Sequence, residues 1–212
     1  MKRTSLITAA ILSLSFALSA PAEARSSSIG TVGVAAFDGV FVAARGIDDT
    51  VITAQQERQQ ARRDVNTSMS LDPKTRFPDA LSELRVRIPS GVQVAVRNGV
   101  PSLQAGSAVP QSLQDAVNAV NSAAVRYGNI VRQFVAVPQQ CQQLVGALSA
   151  LNLDRLRADL AIESPEDAVA HLGQLSVYQT NFQTIGKMPQ KVQKLVQNLC
   201  SDIDAIRSVF AR

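Results

Sequence analysis

Residues 111–151 read QSLQDAVNAVNSAAVRYGNIVRQFVAVPQQCQQLVGALSAL. Within them Leu113, Val117, Val120, Ala124, Tyr127, Val131, Phe134, Pro138, Cys141, Val145 and Leu148 recur at alternating steps of four and three. That is a heptad seam of about five repeats, the spacing of an apolar stripe along a helix. Pro138 lies inside it. Proline lacks an amide donor and crowds the preceding turn, so a kink or a helix boundary is expected there. A stripe this long must be buried against other helices, so the stretch predicts an all-α fold.

Similar seams flank it. Phe37, Val40, Ala44, Ile47, Val51 and Ala54 predict a helix over about 33–65. Its second half, Gln55–Arg63, is almost entirely polar, and Arg58, Arg62 and Arg63 read as a solvated face. Turn chemistry follows at Asn66-Thr67-Ser68, Asp72-Pro73 and Pro78. Asn66 opens a formal glycosylation triplet, read as chance. Residues 84–103 fit two patterns. Alternation at Leu84, Val86, Ile88 and again at Val92, Val94, Val96 suggests a hairpin, whereas Val92, Val96, Val100 and Leu103 suit a helix. A lone hairpin in a helical chain has little sheet to join, so helix is preferred.

Pro110 opens the central helix, and Asn152-Leu153-Asp154 breaks it before a short helical piece to Ala161. Ser164-Pro165-Glu166-Asp167 combines a capping serine, a first-turn proline and two acids at the positive end of a helix dipole. Leu172, Leu175, Phe182 and Ile185 give that helix its stripe, and Gly186 is expected to end it. A last helix begins near Pro189 and carries Val192, Val196, Leu199, Ile203, Ile206 and Phe210. Lys187, Lys191 and Lys194 around its start suggest a basic surface patch. The expected architecture is an elongated antiparallel bundle of four to five long coiled-coil-like helices.

The chain opens like a secretory leader. Lys2 and Arg3 precede a mostly apolar run, Leu6–Leu18, and Ala22-Glu23-Ala24 suits a peptidase that cuts before Arg25. Residues 1–24 are therefore expected to be a cleaved signal peptide. Residues 25–212 are expected to be a single helical domain, with 25–32 as a disordered N-terminus. Localisation is expected to be periplasmic or secreted, with no transmembrane segment in the mature chain. Removing 1–24 lowers Lys plus Arg from 21 to 19 and Asp plus Glu from 17 to 16, leaving +3 on 188 residues. No block of like charges supports nucleic-acid binding. In an oxidising compartment the two cysteines are expected to form one disulfide, Cys141 to Cys200.

Catalytic signatures are scarce. His171 is the only histidine, it has no nucleophile motif beside it, and it reads as structural. Asp48-Asp49 and Glu166-Asp167 lack calcium-loop spacing, and no phosphate loop occurs. No catalytic residue, cofactor or metal is assigned. The expected function is non-enzymatic binding of a protein partner, as a scaffold, envelope accessory or chaperone-like factor. The alternative is a carrier for an apolar small molecule, with Ala123, Ala124, Gly146 and Ala147 lining a gap between helices.

Overall fold

A computed structural model describes residues 26–88, 92–106 and 109–210. The expected leader, residues 1–24, lies outside the described residues. In chain order these form α1 (Ala35–Ser68), α2 (Phe77–Arg87), β1 (Val92–Arg97), β2 (Val100–Ala105), α3 (Gln111–Gln133), α4 (Val137–Ala150), α5 (Leu153–Asp159), α6 (Pro165–Ala170) and α7 (Leu172–Phe210). The protein is thus mostly helical, as the seams predict, with one small antiparallel hairpin among the described residues.

The described residues pack as two compact units. The first holds 26–52 and Val137–Lys191, and the second holds Thr53–Ala136 and 192–210. Heptad spacing locates helices but does not say which helices share a core. The division inside α1 falls between Ile52 and Thr53, just before its polar run begins. The division inside α7 follows Lys191, two residues after Pro189. Gly186 does not end a helix and Pro189 does not begin one: α7 runs through both. An internal proline costs a helix about 3 kcal/mol. Burial of Ile185, Met188, Val192 and Leu195 around it favours keeping the helix intact.

In the first unit, α1 turns Phe37, Phe41, Ala44 and Val51 inward, and α4 buries Val137, Cys141, Leu144 and Leu148. The central seam does break at Pro138, which lies in the first turn of α4 after α3 has ended at Gln133. The Asn152 side chain caps α5 by accepting from the Arg155 amide at 2.9 Å. Ser164 caps α6 in a full capping box with Asp167. Residues 26–32, within the stretch expected to be disordered, carry neither helix nor strand but are packed down, with Ile29 and Val32 buried.

In the second unit, the preference for helix over 84–103 holds only as far as Arg87, and the hairpin that follows is not the alternative pairing of Leu84–Ile88 with Val92–Val96. Helix α2 stops at Arg87, and β1 pairs with β2 from Val92↔Ala105 to Arg97↔Val100. The two-residue turn is Asn98-Gly99, with φ of 52° and 78°. Both angles are positive, which is the requirement of a type I′ hairpin turn and the reason Asn-Gly favours one. The hairpin is supported by α3 instead of by further strands. Asn121 accepts the Leu103 amide at 2.6 Å and donates to the Leu103 carbonyl at 2.8 Å. Gly128 leaves room for Val100, and a Cβ there would collide with it. Asn66 is buried and its amide nitrogen donates to the Pro73 and Thr75 carbonyls, so it closes the α1–α2 turn.

Candidate binding surfaces

Of the arginines in the polar half of α1, Arg63 is exposed as expected, but Arg58 and Arg62 are paired. In the second unit, Arg58 Nε donates to Asp202 Oδ2 at 2.8 Å and Arg62 Nη2 donates to Asp202 Oδ1 at 2.8 Å. Asp202 is almost wholly buried, whereas the Arg58 and Arg62 side chains are 17% and 31% exposed. Arg62 also lies over the Phe77 ring, 5.9 Å from its centre. Phe77 meets Tyr127 edge-on at 5.8 Å. Burial raises the Tyr127 hydroxyl far above its ordinary range, so it stays protonated. One carboxylate holding two guanidiniums is a device for fixing α7 to α1 inside this unit.

The first unit carries a different feature. Phe37, Phe41 and Tyr178 stack in tilted and edge-on arrangements, with ring centres 5.8–6.4 Å apart. The Tyr178 hydroxyl donates to the buried Leu151 carbonyl at 3.1 Å, and burial raises its pKa. Phe182 extends this cluster outward, 6.0 Å from Tyr178, and remains 46% exposed. Tyr178, Gln179, Phe182 and Gln183 line an open concavity of about 390 Å³. Leu172 and Phe182 were expected on a buried stripe, yet both are exposed, and Leu172 is 59% so. The stripe spacing is sound. The helix simply lacks a covering neighbour on that side among the described residues.

The other candidate residues are dispersed. Cys141 and Cys200 are both free, so the expected disulfide is absent. Cys141 is buried on α4 in the first unit, and Cys200 is exposed on α7 in the second. The break before Pro138 assigns Cys141 to a different core from the one that Leu199 enters, and Cys200 points away from it. Burial pushes the Cys141 thiol up to about 11. His171 ends α6 as its C-cap, and its Nδ1 has no hydrogen-bond partner among the described residues. Asp48 is buried and accepts from Lys191 at 3.2 Å, so that lysine is not part of a free basic patch. Ala123 and Ala124 are buried in α3, whereas Gly146 on α4 is exposed with open space around it. Among the described residues, no group of three or more His, Cys, Asp or Glu is placed to hold a metal ion. No helix among them is long and apolar enough to cross a membrane. No family model, curated protein or solved structure matches this chain.

Proposed function

We propose that this is an exported, non-enzymatic protein that works by binding another protein, and that the patch around Tyr178 and Phe182 is a contact surface. The observation that carries this reading is Phe182, half out of the protein above a buried aromatic cluster. Covering it would recover about 1 kcal/mol, half or less of what full burial of a phenylalanine yields. Gln179 and Gln183 beside it supply donors and acceptors without charge, a pairing suited to a polypeptide surface. Export rests on the charged start, the apolar run Leu6–Leu18 and the small-residue cut before Arg25.

Site-specific photo-cross-linking tests the patch. A benzophenone side chain placed at Gln179 in the exported protein should yield one adduct of defined mass. Phe182→Ser should remove that adduct while leaving secretion and helix content unchanged. An adduct indifferent to Phe182, or monomer alone across growth conditions, would refute the assignment. Sequencing the same material from its N-terminus should begin at or near Arg25.

A further inference from the structure

The ordered segment before α1 is held as a bound peptide is held. Ser27 donates its amide to Asp49 Oδ1 at 2.7 Å. The Ile29 carbonyl accepts from Arg45 Nε at 2.7 Å and from Arg45 Nη2. Gly30 is clamped on both sides by one side chain: its amide donates to Asn181 Oδ1 at 3.1 Å, and its carbonyl accepts from Asn181 Nδ2 at 2.8 Å. Val32 and Gly33 donate their amides to the two carboxylate oxygens of Asp38, at 2.7 and 3.0 Å. Every one of these bonds joins a side chain of α1 or α7 to the segment's backbone. Only Ile29 and Val32 add buried side chains, at 2% and 3% exposure. Gly30 adds a shape requirement, since a Cβ there would lie 3.0 Å from Val177 Cγ1.

The receiving side chains are built for this. Asn181 is wholly buried, and both ends of its amide are satisfied by the Gly30 backbone. Removing the segment would break both bonds and leave the Asn181 amide to water or to another backbone. Asn181 thus needs an extended backbone beside it but has no contact that demands this particular one. Side-chain capture of an extended main chain, with pockets for alternate residues, is a recurring mode of peptide recognition. Asn181 also directly precedes Phe182, the exposed ring of the patch described above.

We propose that the groove holding residues 27–33 is a binding site for an extended polypeptide, filled here by the chain's own segment. The segment a partner inserts in its place carries an aliphatic residue, then glycine, then any residue, then a second aliphatic residue. Gly33, with φ of 79°, supplies a left-handed hinge where the segment joins α1. A tethered segment competes at an effective concentration in the millimolar range, so an incoming peptide gains access mainly when the resident segment is out. This inference rests on the protein-binding reading, but its test does not involve Phe182.

The probe is a fluorescein-labelled peptide of residues 25–34, titrated into the full chain and followed by anisotropy. Gly30→Val sets a branched side chain against Val177 and is expected to release the resident segment while altering no residue of the receiving helices. That variant should bind the peptide at one to one, at least about tenfold more tightly than the wild-type chain, where the tether competes. The same peptide carrying Gly30→Val should not bind, which tests the glycine requirement without touching the protein. A folded Gly30→Val chain that ignores the wild-type peptide overturns the proposal, as does equal binding of both peptides. Should that variant fail to fold, amide exchange in the wild-type chain decides. The Ser27, Gly30 and Val32 amides should exchange at least about a hundredfold faster than those of Val51 and Ile185, the mark of local release. Exchange at the rate of global unfolding would show the segment to be core and sink the idea.

Discussion

Asp202→Asn tests the most concentrated polar interaction in the second unit. The substitution keeps the side chain's size, so no cavity forms. It removes the charge that two guanidiniums share and turns one acceptor into a donor that faces them. Breaking a buried ion pair by removing one partner costs about 3–5 kcal/mol. Arg58 and Arg62 are 17% and 31% exposed, so water returns part of that cost. The expected loss is about 2–3 kcal/mol. For a chain of this length each kcal/mol moves the melting temperature by about 2–4 °C, which gives a fall of roughly 4–12 °C. Circular dichroism melts and urea titrations would both report it. Arg62→Met should cost less, about 1 kcal/mol, because Asp202 keeps Arg58 and loses only its more exposed partner. Replacing all three, with Asp202→Leu, Arg58→Met and Arg62→Met together, should recover most of the loss, because no charge is then left stranded. An Asp202→Asn chain within about 0.5 kcal/mol of wild type would refute this reasoning, since that is the range of an ordinary surface change.

Two further outcomes follow from the thiols and from the α6 cap. A thiol reagent at pH 8 should modify exposed Cys200 at once and reach Cys141 only after denaturant is added, because burial pushes that thiol up to about 11. Equal rates for the two would contradict the packing of α4. The Asp167 carboxyl is held below its ordinary value by the Ser164 hydroxyl and by the Glu163 and Ser164 amides. A depressed folded-state pKa stabilises the cap fully above the ordinary carboxylate range, and the benefit is lost as pH falls through the depressed value. NMR titration should therefore find Asp167 protonating at a lower pH than a free aspartate, with the Ser164 amide losing protection as it does so. A midpoint at the unperturbed value would remove the capping box.

Local chemistry in this chain was readable where a few neighbouring residues decide the outcome. The Ser164–Asp167 cap, the break at Pro138 and the helical seam of α1 depend on nothing distant. The hairpin was readable too. Asn98-Gly99 is a strong two-residue turn signal, but the Val92, Val96, Val100 spacing drew the reading toward a helix. Its support by Asn121 of α3 removes the objection that a lone hairpin has no sheet to join. What escaped detection depends on partners far along the chain. Arg58 and Arg62 looked solvated because Asp202 lies 144 and 140 residues away. The stretch 25–32 looked disordered because backbone-directed bonds leave no trace in its composition. Leu172 and Phe182 looked buried because a stripe shows which face is apolar and not whether anything covers it. Cys141 and Cys200 looked paired because an exported chain meets oxidising conditions, and a compartment says nothing about which side chains lie close together.

The order in which the chain visits the two units bears on how it is made. Each unit is assembled from two separated stretches, so neither exists as a contiguous fragment. Gly30 waits 151 residues for Asn181, and Arg58 waits 144 for Asp202. A growing chain cannot close the first core until about residue 191 is available, nor the second until the last turns of α7 bring in Leu199, Ile206 and Phe210. Contacts this remote slow folding, because loop closure must precede the contacts that reward it. Synthesis therefore runs nearly to its end with both cores open and the polypeptide still pliant. That is the condition in which a chain can be threaded through a narrow channel and left to fold on the far side.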